Sequence, residues 1–489
     1  MTDNSEFIDI LVIGAGLSGI GSACRFRRDL PGLSLAILES RPASGGTWDL
    51  FRYPGIRSDS DMYTYSYGFK PWTNGSAIAD GDRILKYIRE TADEYGLNQH
   101  IRYNHKVMAA HWSSQDKLWT VTVTRASESH PASQETLTMR CRFILSCTGY
   151  YDYDQGYTPE FTGIDHFNGD IVHPQFWPET LDYKDKRVVI VGSGATAVTL
   201  VPNMANDTAN LVMLQRSPTY IATVPAEDPW LKPLRKYLPD SWVYRLIRWK
   251  KVLFQQYIYR LSRRKPAALR KFLLDQVREE LGPEYDVKTH FTPSYKPWDQ
   301  RLCAVPDGDM FAAIREGKAE VVTDHVENFN HAGIALKSGR QLDADIVILA
   351  TGLQLKFGGG IAYYIDGEEV ELTEHFVYRG MMLSGVPNFA MSVGYTNSSW
   401  TLKTDLTANY VCELFKKMER GGHQYVIPVP KEAMDEAPLL DFNAGYVLRG
   451  RDLMPKNGDR EPWKNSDRYT KDFVGLKLSR NKYNELEFH

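Results

Sequence analysis

The sequence predicts an α/β chain of two Rossmann-like dinucleotide-binding domains with a helical insertion. Three observations carry that prediction. A glycine-rich run, "IDILVIGAGLSGIGSACRF", stands near the N-terminus, a second one, "KRVVIVGSGATAVTLVPNMA", begins at Lys186, and a basic, aromatic stretch covers residues 230–274. At 489 residues the chain exceeds what one small core accommodates, so two or three domains are expected. A hydrophobic content of 43%, a charged content of 24% and a net charge of -3 fit a soluble enzyme and show no global attraction to nucleic acid or membrane.

In the first run, Ile10 to Ile13 read as a strand, and Gly14, Gly16 and Gly19 form G-x-G-x-x-G before a helix of small residues. Such glycines allow a tight turn, close approach of backbone to a pyrophosphate, and close packing of helix on strand. The next strand ends at Glu39, twenty residues after Gly19. A carboxylate there accepts from both hydroxyls of an unphosphorylated ribose, which points to FAD or NAD. In the second run, Val188 to Val191 form the strand, and Gly192, Gly194 and Ala197 give G-x-G-x-x-A. Arg216 with Ser217 now occupies the position equivalent to Glu39, and a guanidinium beside a hydroxyl suits a 2′-phosphate. The pair implies hydride passage from NADPH to FAD. Two further strands ending in small residues, at Thr148 and Gly149 and at Ala350, Thr351 and Gly352, read as chain crossings between the domains. "FNGDIVHPQFWP", residues 167–178, follows no helical or strand periodicity and reads as a rigid connector.

Two longer motifs carry a resemblance. "GGTWDLFRYPGIRSD", from Gly45 to Asp59, resembles one signature of type I Baeyer–Villiger monooxygenases, and Phe167, Gly169, His173, Trp177 and Pro178 resemble the other. "LQRSPTYI", "WDQRLC" and "VGYTNSSWTLK" are similar to the ethionamide-activating mycobacterial branch of that family. The resemblance implies oxygen insertion through a C4a-peroxyflavin, turning ketones into esters or lactones, with oxidation of thioethers or thioamides beside it. The alternative it leaves is an S- or N-oxygenating flavin monooxygenase. It makes Arg301 the stabiliser of developing oxyanions, since arginine stays charged and is a poor proton donor, with Asp59 to steer it. Gln300 precedes Arg301 where the wider family has lysine. Thr47 and Trp48 are expected to line the flavin. Ser18, Gly46, Arg57, Asp59 and Val107 complete the cofactor set of the first domain, and Ser193, Ala195 and Thr196 that of the second. His173 is expected to hold the connector by hydrogen bonds rather than to carry protons.

The expected division is residues 1–150 as the first part of the FAD-binding domain, 151–181 as an interdomain linker and 182–228 as the first part of the NADP-binding domain. Residues 229–298 form the helical insertion, 299–349 the second part of the NADP-binding domain, and 350–489 the second part of the FAD-binding domain. Residues 230–274 hold thirteen Lys or Arg against one Asp. A packed helical subdomain is the favoured reading of that stretch, and a basic amphipathic surface for anionic lipid the other. The five cysteines lack metal-ligand spacing, the N-terminus lacks the pattern of a secretory leader, and no apolar run reaches 18 residues, so a cytoplasmic enzyme without a metal site is expected. Its partners are then a small ketone or sulfide and O2, with no nucleic acid.

Overall fold

A computed structural model describes residues 6–126, 134–300, 302–440, 443–479 and 481–489. β1 (Glu6–Ile13) pairs in parallel with β2 (Leu35–Leu38), which pairs with β3 (Ile101–Arg102). A meander of β4 (Lys106–Ser113), β5 (Leu118–Ala126) and β6 (Gln134–Ser146) returns to the other side of β1, so the sheet is parallel at its centre and antiparallel beyond. Leu11, Val12, Ile37 and Leu38 are almost wholly buried, as a strand covered on both faces requires.

The chain leaves this sheet through β7 (Tyr151–Gly156) and enters a second one. That sheet is entirely parallel, in the order Glu320–Thr323, β10 (Asn210–Gln215), β9 (Arg187–Val191), Ile346–Leu349 and β8 (Asp170–Val172). Residues 167–178, expected to be an irregular connector, include an edge strand of the second sheet at Asp170–Val172, too short for its alternation to register. The two crossings run side by side: Leu353–Leu355 pairs antiparallel with β7.

Four α-helices lie between β1 and β3: α1 (Leu17–Asp29), α2 (Thr47–Leu50), α3 (Met62–Tyr65) and α4 (Gly81–Glu94). α5 (Ala195–Met204) follows β9. The insertion consists of α6 (Leu231–Arg235), α7 (Asp240–Arg264), α8 (Pro266–Leu281) and α9 (Val287–His290). α10 (Asp309–Arg315) completes the second region, and α11 (Trp400–Gly421) returns to pack along α1. No helix among the described residues is long and apolar enough to cross a membrane.

The insertion shows why a count of its charges misleads. Arg248 of α7 lies inside, donating to the carbonyls of Tyr63 and Ser66 at 2.8 and 2.9 Å and so satisfying the last turn of α3. Lys250 donates to the fully buried Asp228 at 2.6 Å, and Lys251 joins Asp228 to Asp61 at 3.2 and 2.8 Å. Three of the cations are therefore structural, while much of the apolar surface of α7 faces outward.

Candidate functional site

β1 delivers the chain into a turn that only glycine can make. Gly14 has φ +103°, and a Cβ there would stand 2.5 Å from the Cys147 carbonyl oxygen, while one on Gly19 would stand 1.8 Å from the oxygen of Gly14. Glu39 is buried at the end of β2. Its carboxylate accepts from the Ala15 N–H at 2.8 Å and from the Arg41 N–H at 2.9 Å, so the protein itself fixes it beside the turn. Val107 is brought to the same edge: the N–H of His105 donates to the Glu39 carbonyl at 2.8 Å, and β4 bulges between Val107 and Ala109. The Ser18 hydroxyl is engaged elsewhere, accepting from Trp400 Nε1 at 2.9 Å, so Ser18 offers the turn its backbone.

The motif from Gly45 to Asp59 bridges the two regions. At its start Gly46 touches Gly16, a Cβ on Gly46 lying 3.0 Å from the Gly16 Cα. The hydroxyls of Thr47 and Tyr153 share a hydrogen bond of 3.0 Å, and Trp48 Nε1 donates to the Tyr65 hydroxyl at 2.8 Å. Further along, Phe51 and Tyr53 are buried in the core of the second region, against Val188, Ile190 and Phe311. Gly55 abuts Asn203 of α5. Arg57 forms a two-pronged ion pair with Asp309 at the start of α10, one prong at 3.2 Å. The guanidinium expected to face a cofactor thus meets a carboxylate in this structure, a charge-assisted pairing that matches its fork. Asp59, at the end of the motif, is exposed.

The second turn is more open. Gly192 has φ +141° and would meet the Ala350 carbonyl oxygen at 2.2 Å with a Cβ, yet a Cβ on Gly194 would meet nothing within 4 Å. Ala195, Thr196 and Ala197 form the first turn of α5. The Ser193 hydroxyl donates to the Ser217 carbonyl at 3.2 Å, which draws the end of β10 up to the turn, and Arg216 projects from that junction exposed.

His173 lies between the crossings. Its Nδ1 accepts from the Gln175 N–H and its Nε2 faces the Gly352 carbonyl, both at 3.2 Å, which fixes the proton on Nε2. Burial pushes its pKa down, so the ring stays neutral. Gly156 of β7 is glycine because the imidazole occupies the place of its Cβ, 2.2 Å away. Arg301 falls outside the described residues. Just before it, Asp299 pairs with Arg263 of α7 at 2.8 Å, and Trp298 holds φ +66°, a backbone region that bulky residues rarely adopt.

Arg41, Tyr153 and Trp400 also belong to the site, outside the glycine runs and the two longer motifs. Arg41 donates to the Gly46 carbonyl at 3.0 Å and to Asp49 at 2.7 Å, and Asp49 also takes Arg89 and Arg52 at 2.6 and 3.1 Å. Burial pushes the Tyr153 hydroxyl up to about 12. A signal existed in the tyrosine-rich run "YYDYD" directly after the first crossing. Trp400 carried none, being 382 residues from Ser18.

The residues fit a dinucleotide on each turn. No protein atom requires glycine at 194, whereas a phosphate lying on the turn does. On the first turn the fixed carboxylate of Glu39 keeps lone pairs for ribose hydroxyls. Bound there, a flavin would be held by Gly14, Gly16, Gly19 and Glu39, and a nicotinamide nucleotide by Gly192, Gly194 and Arg216.

Comparison with known proteins agrees. The chain is similar to the FAD-containing monooxygenase EthA of Mycobacterium tuberculosis, 50% identical over 471 residues that cover 96% of this chain and 95% of that one. EthA of Mycolicibacterium smegmatis is 48% identical over 99% of this chain and 97% of its own. Among solved structures, an oxidized steroid monooxygenase bound to NADP matches with a TM-score of 0.76 at 21% identity, over 99% of both chains. An open form of cyclohexanone monooxygenase matches with a TM-score of 0.75 at 18% identity, over 99% of this chain and 100% of that one. The NAD(P)-binding Rossmann-like domain matches residues 12–80, and the family described as flavin-binding monooxygenase-like matches residues 58–361. Two Rossmann-like turns, a bridging motif and half-identical relatives along nearly the whole chain lead to one conclusion: the chain belongs to the flavin-binding monooxygenase-like family.

Proposed function

We propose that this flavin-dependent monooxygenase is of the Baeyer–Villiger type, converting ketones to esters or lactones with FAD, NADPH and O2, and oxidising thioethers or thioamides as a second activity. The observation that supports it best is the course of the motif from Gly45 to Asp59. It touches the first turn at Gly46, sinks Phe51 and Tyr53 into the second core, and ends at Asp59. A segment so routed lies where a flavin and a nicotinamide would meet.

FAD, when bound, would pass reducing equivalents from NADPH to O2, one atom of which enters the substrate while the other leaves as water. The chain's own residues do the rest. Arg216, with Ser217 beside it, takes the 2′-phosphate and favours NADPH over NADH. Thr47 and Trp48, tied to Tyr153 and Tyr65, wall the flavin side and exclude water. With its pKa pushed up to about 12, Tyr153 keeps its proton at working pH and adds no negative charge beside a developing anion. Arg301 opposes the oxyanion that forms on the attacked carbonyl and, unlike a lysine or histidine, does not quench it with a proton. Asp59 orients Arg301. His173, neutral and bonded through both nitrogens, holds the connector in register with the second crossing.

The holoenzyme is tested with linear, cyclic and aryl ketones and with thioethers, scoring products against NADPH use corrected for peroxide. Esters or lactones formed in step with NADPH are expected. Sulfoxides alone would favour the S- or N-oxygenating alternative, and peroxide alone would exclude oxygen insertion. Arg301→Ala should keep FAD and its reduction by NADPH while oxygenated product falls at least about 10²–10³-fold. Ester formed at the wild-type rate by that variant would refute the role given to Arg301.

A further inference from the structure

The outer face of α7 is apolar and uncovered. Trp242, Leu246, Trp249, Leu253 and Tyr257 recur at helical spacing along one side, and each is between 43% and 61% exposed. The opposite side buries Val243, Tyr244, Ile247 and Val252, so the stripe is a second apolar face on a helix that already has one. A helix of 25 residues extends about 37 Å, long enough to lie along a surface as a continuous contact. The stripe does not end with the helix. Trp249 packs edge-on against Phe473, with ring centroids 5.7 Å apart, and beyond it Val474 and Leu478 are 54% and 68% exposed.

Between α7 and this C-terminal segment lies a cavity of about 380 Å³. Its walls carry Arg25, Arg28, Arg245, Arg248 and Lys477 and the single carboxylate of Asp405, which Arg248, engaged with the carbonyls of Tyr63 and Ser66, meets at 3.5 Å. Arg25 and Arg28 are shared with Asp29, at 2.6 and 2.9 Å. Arg245 and Lys477 form no ion pair among the described residues and rest on aromatic faces instead, Arg245 on Trp242 and Lys477 on Phe473. Burial, with Arg25 beside it, pushes the Lys477 pKa down. The cavity lining thus carries more cationic than anionic side chains, and Trp249 joins it to the exposed apolar stripe.

We infer that α7 and residues 473–478 form a docking surface for an anionic membrane, with the apolar stripe at the headgroup boundary and a lipid phosphate in the cationic cavity. Aromatic and aliphatic residues beside arginine and lysine are the chemistry of helices that lie in such an interface. A water-soluble partner of opposite charge would leave the stripe exposed, and an uncharged apolar partner would leave the cavity unmatched. The inference does not depend on the reaction proposed above.

The test uses the FAD-loaded enzyme with vesicles of phosphatidylcholine alone or mixed with phosphatidylglycerol, read by co-flotation and tryptophan emission. Binding to the mixed vesicles, weak binding to the neutral ones, and loss as salt rises are expected. Leu246→Glu with Leu253→Glu should abolish binding with flavin content unchanged. Arg245→Ala and Lys477→Ala should each weaken it by roughly fivefold. Equal binding to both vesicles, or full binding by the double glutamate variant, would overturn the inference. So would protection by inorganic phosphate without vesicle binding, which would mark a soluble-anion site. A dimer in light scattering that the glutamates dissolve, with no vesicle binding, would assign the stripe to a second copy of the chain.

Discussion

The two glycine turns share a sequence pattern and differ in what surrounds them. At the first, glycines are enforced from inside: Gly14 and Gly19 face backbone oxygens that a methyl would strike, and Glu39 is buried and held by Ala15 and Arg41. At the second, Gly192 is enforced in the same way, but Gly194 faces open space and Arg216 is exposed. The first turn is part of a hydrophobic core and suits a group that stays. The second opens to solvent and suits a group that comes and goes. The sequence separates the two turns by the residue after the next strand, Glu39 or Arg216, and the surroundings add how firmly each turn is held.

The largest break in that contrast should come from Gly19→Ala. Its methyl would overlap a backbone oxygen, which cannot rotate away, so flavin content and melting temperature should both collapse. A variant purified with full flavin would show the first turn to be looser than its geometry. Arg216→Ala comes next and should act only on the second turn. Losing a charge-assisted contact to the 2′-phosphate should raise the KM for NADPH by about 10- to 100-fold, with NADH and thermal stability little changed. Equal use of both nucleotides by the wild type would refute the role of Arg216. Gly194→Ala should leave stability within about 0.5 kcal/mol, because nothing in the protein meets the added methyl, yet should weaken NADPH several-fold. A large loss of stability would mean that the position is structural after all.

The smallest effect concerns the clamp between the regions. Burial lowers the His173 pKa below its usual 6.5, so the unfolded ring gains a proton before the native one does. Stability should therefore be unaffected above that value and fall as the pH drops through it, until the native ring itself titrates. His173→Gln should flatten this fall in melting temperature between pH 7 and pH 5. His290 and His100, lowered by burial too, leave a residual slope. An unchanged slope in the variant would mean that His173 is not the group responsible.

Much of the frame could be read from the chain alone, because it is written in local signals. The strand expected at Ile10 to Ile13 is the buried end of β1, and that at Val188 to Val191 is β9 but for one residue. Both crossings lie at the ends of strands, where terminal small residues mark them. What escaped was pairing at a distance. Arg57 meets Asp309 252 residues away, and nothing in the spacing of "YPGIRSD" names that partner. The charges of α7 mislead for the same reason: composition counts Arg248, Lys250 and Lys251 with the surface, while the carboxylates and carbonyls they meet lie in other elements. Periodicity shows that a helix has two faces, but not which of them the rest of the protein covers.

The pair between Arg57 and Asp309 sets a condition on motion. Arg57 belongs to the motif that touches the first turn, and Asp309 opens a helix of the second region, so any rotation of one against the other stretches this contact. Both partners hold opposite charge in the resting arrangement, which makes the bond a clutch that a third ion can slip. Parting the two regions at this point would leave a guanidinium and a carboxylate without their charged partners unless another ion took each place.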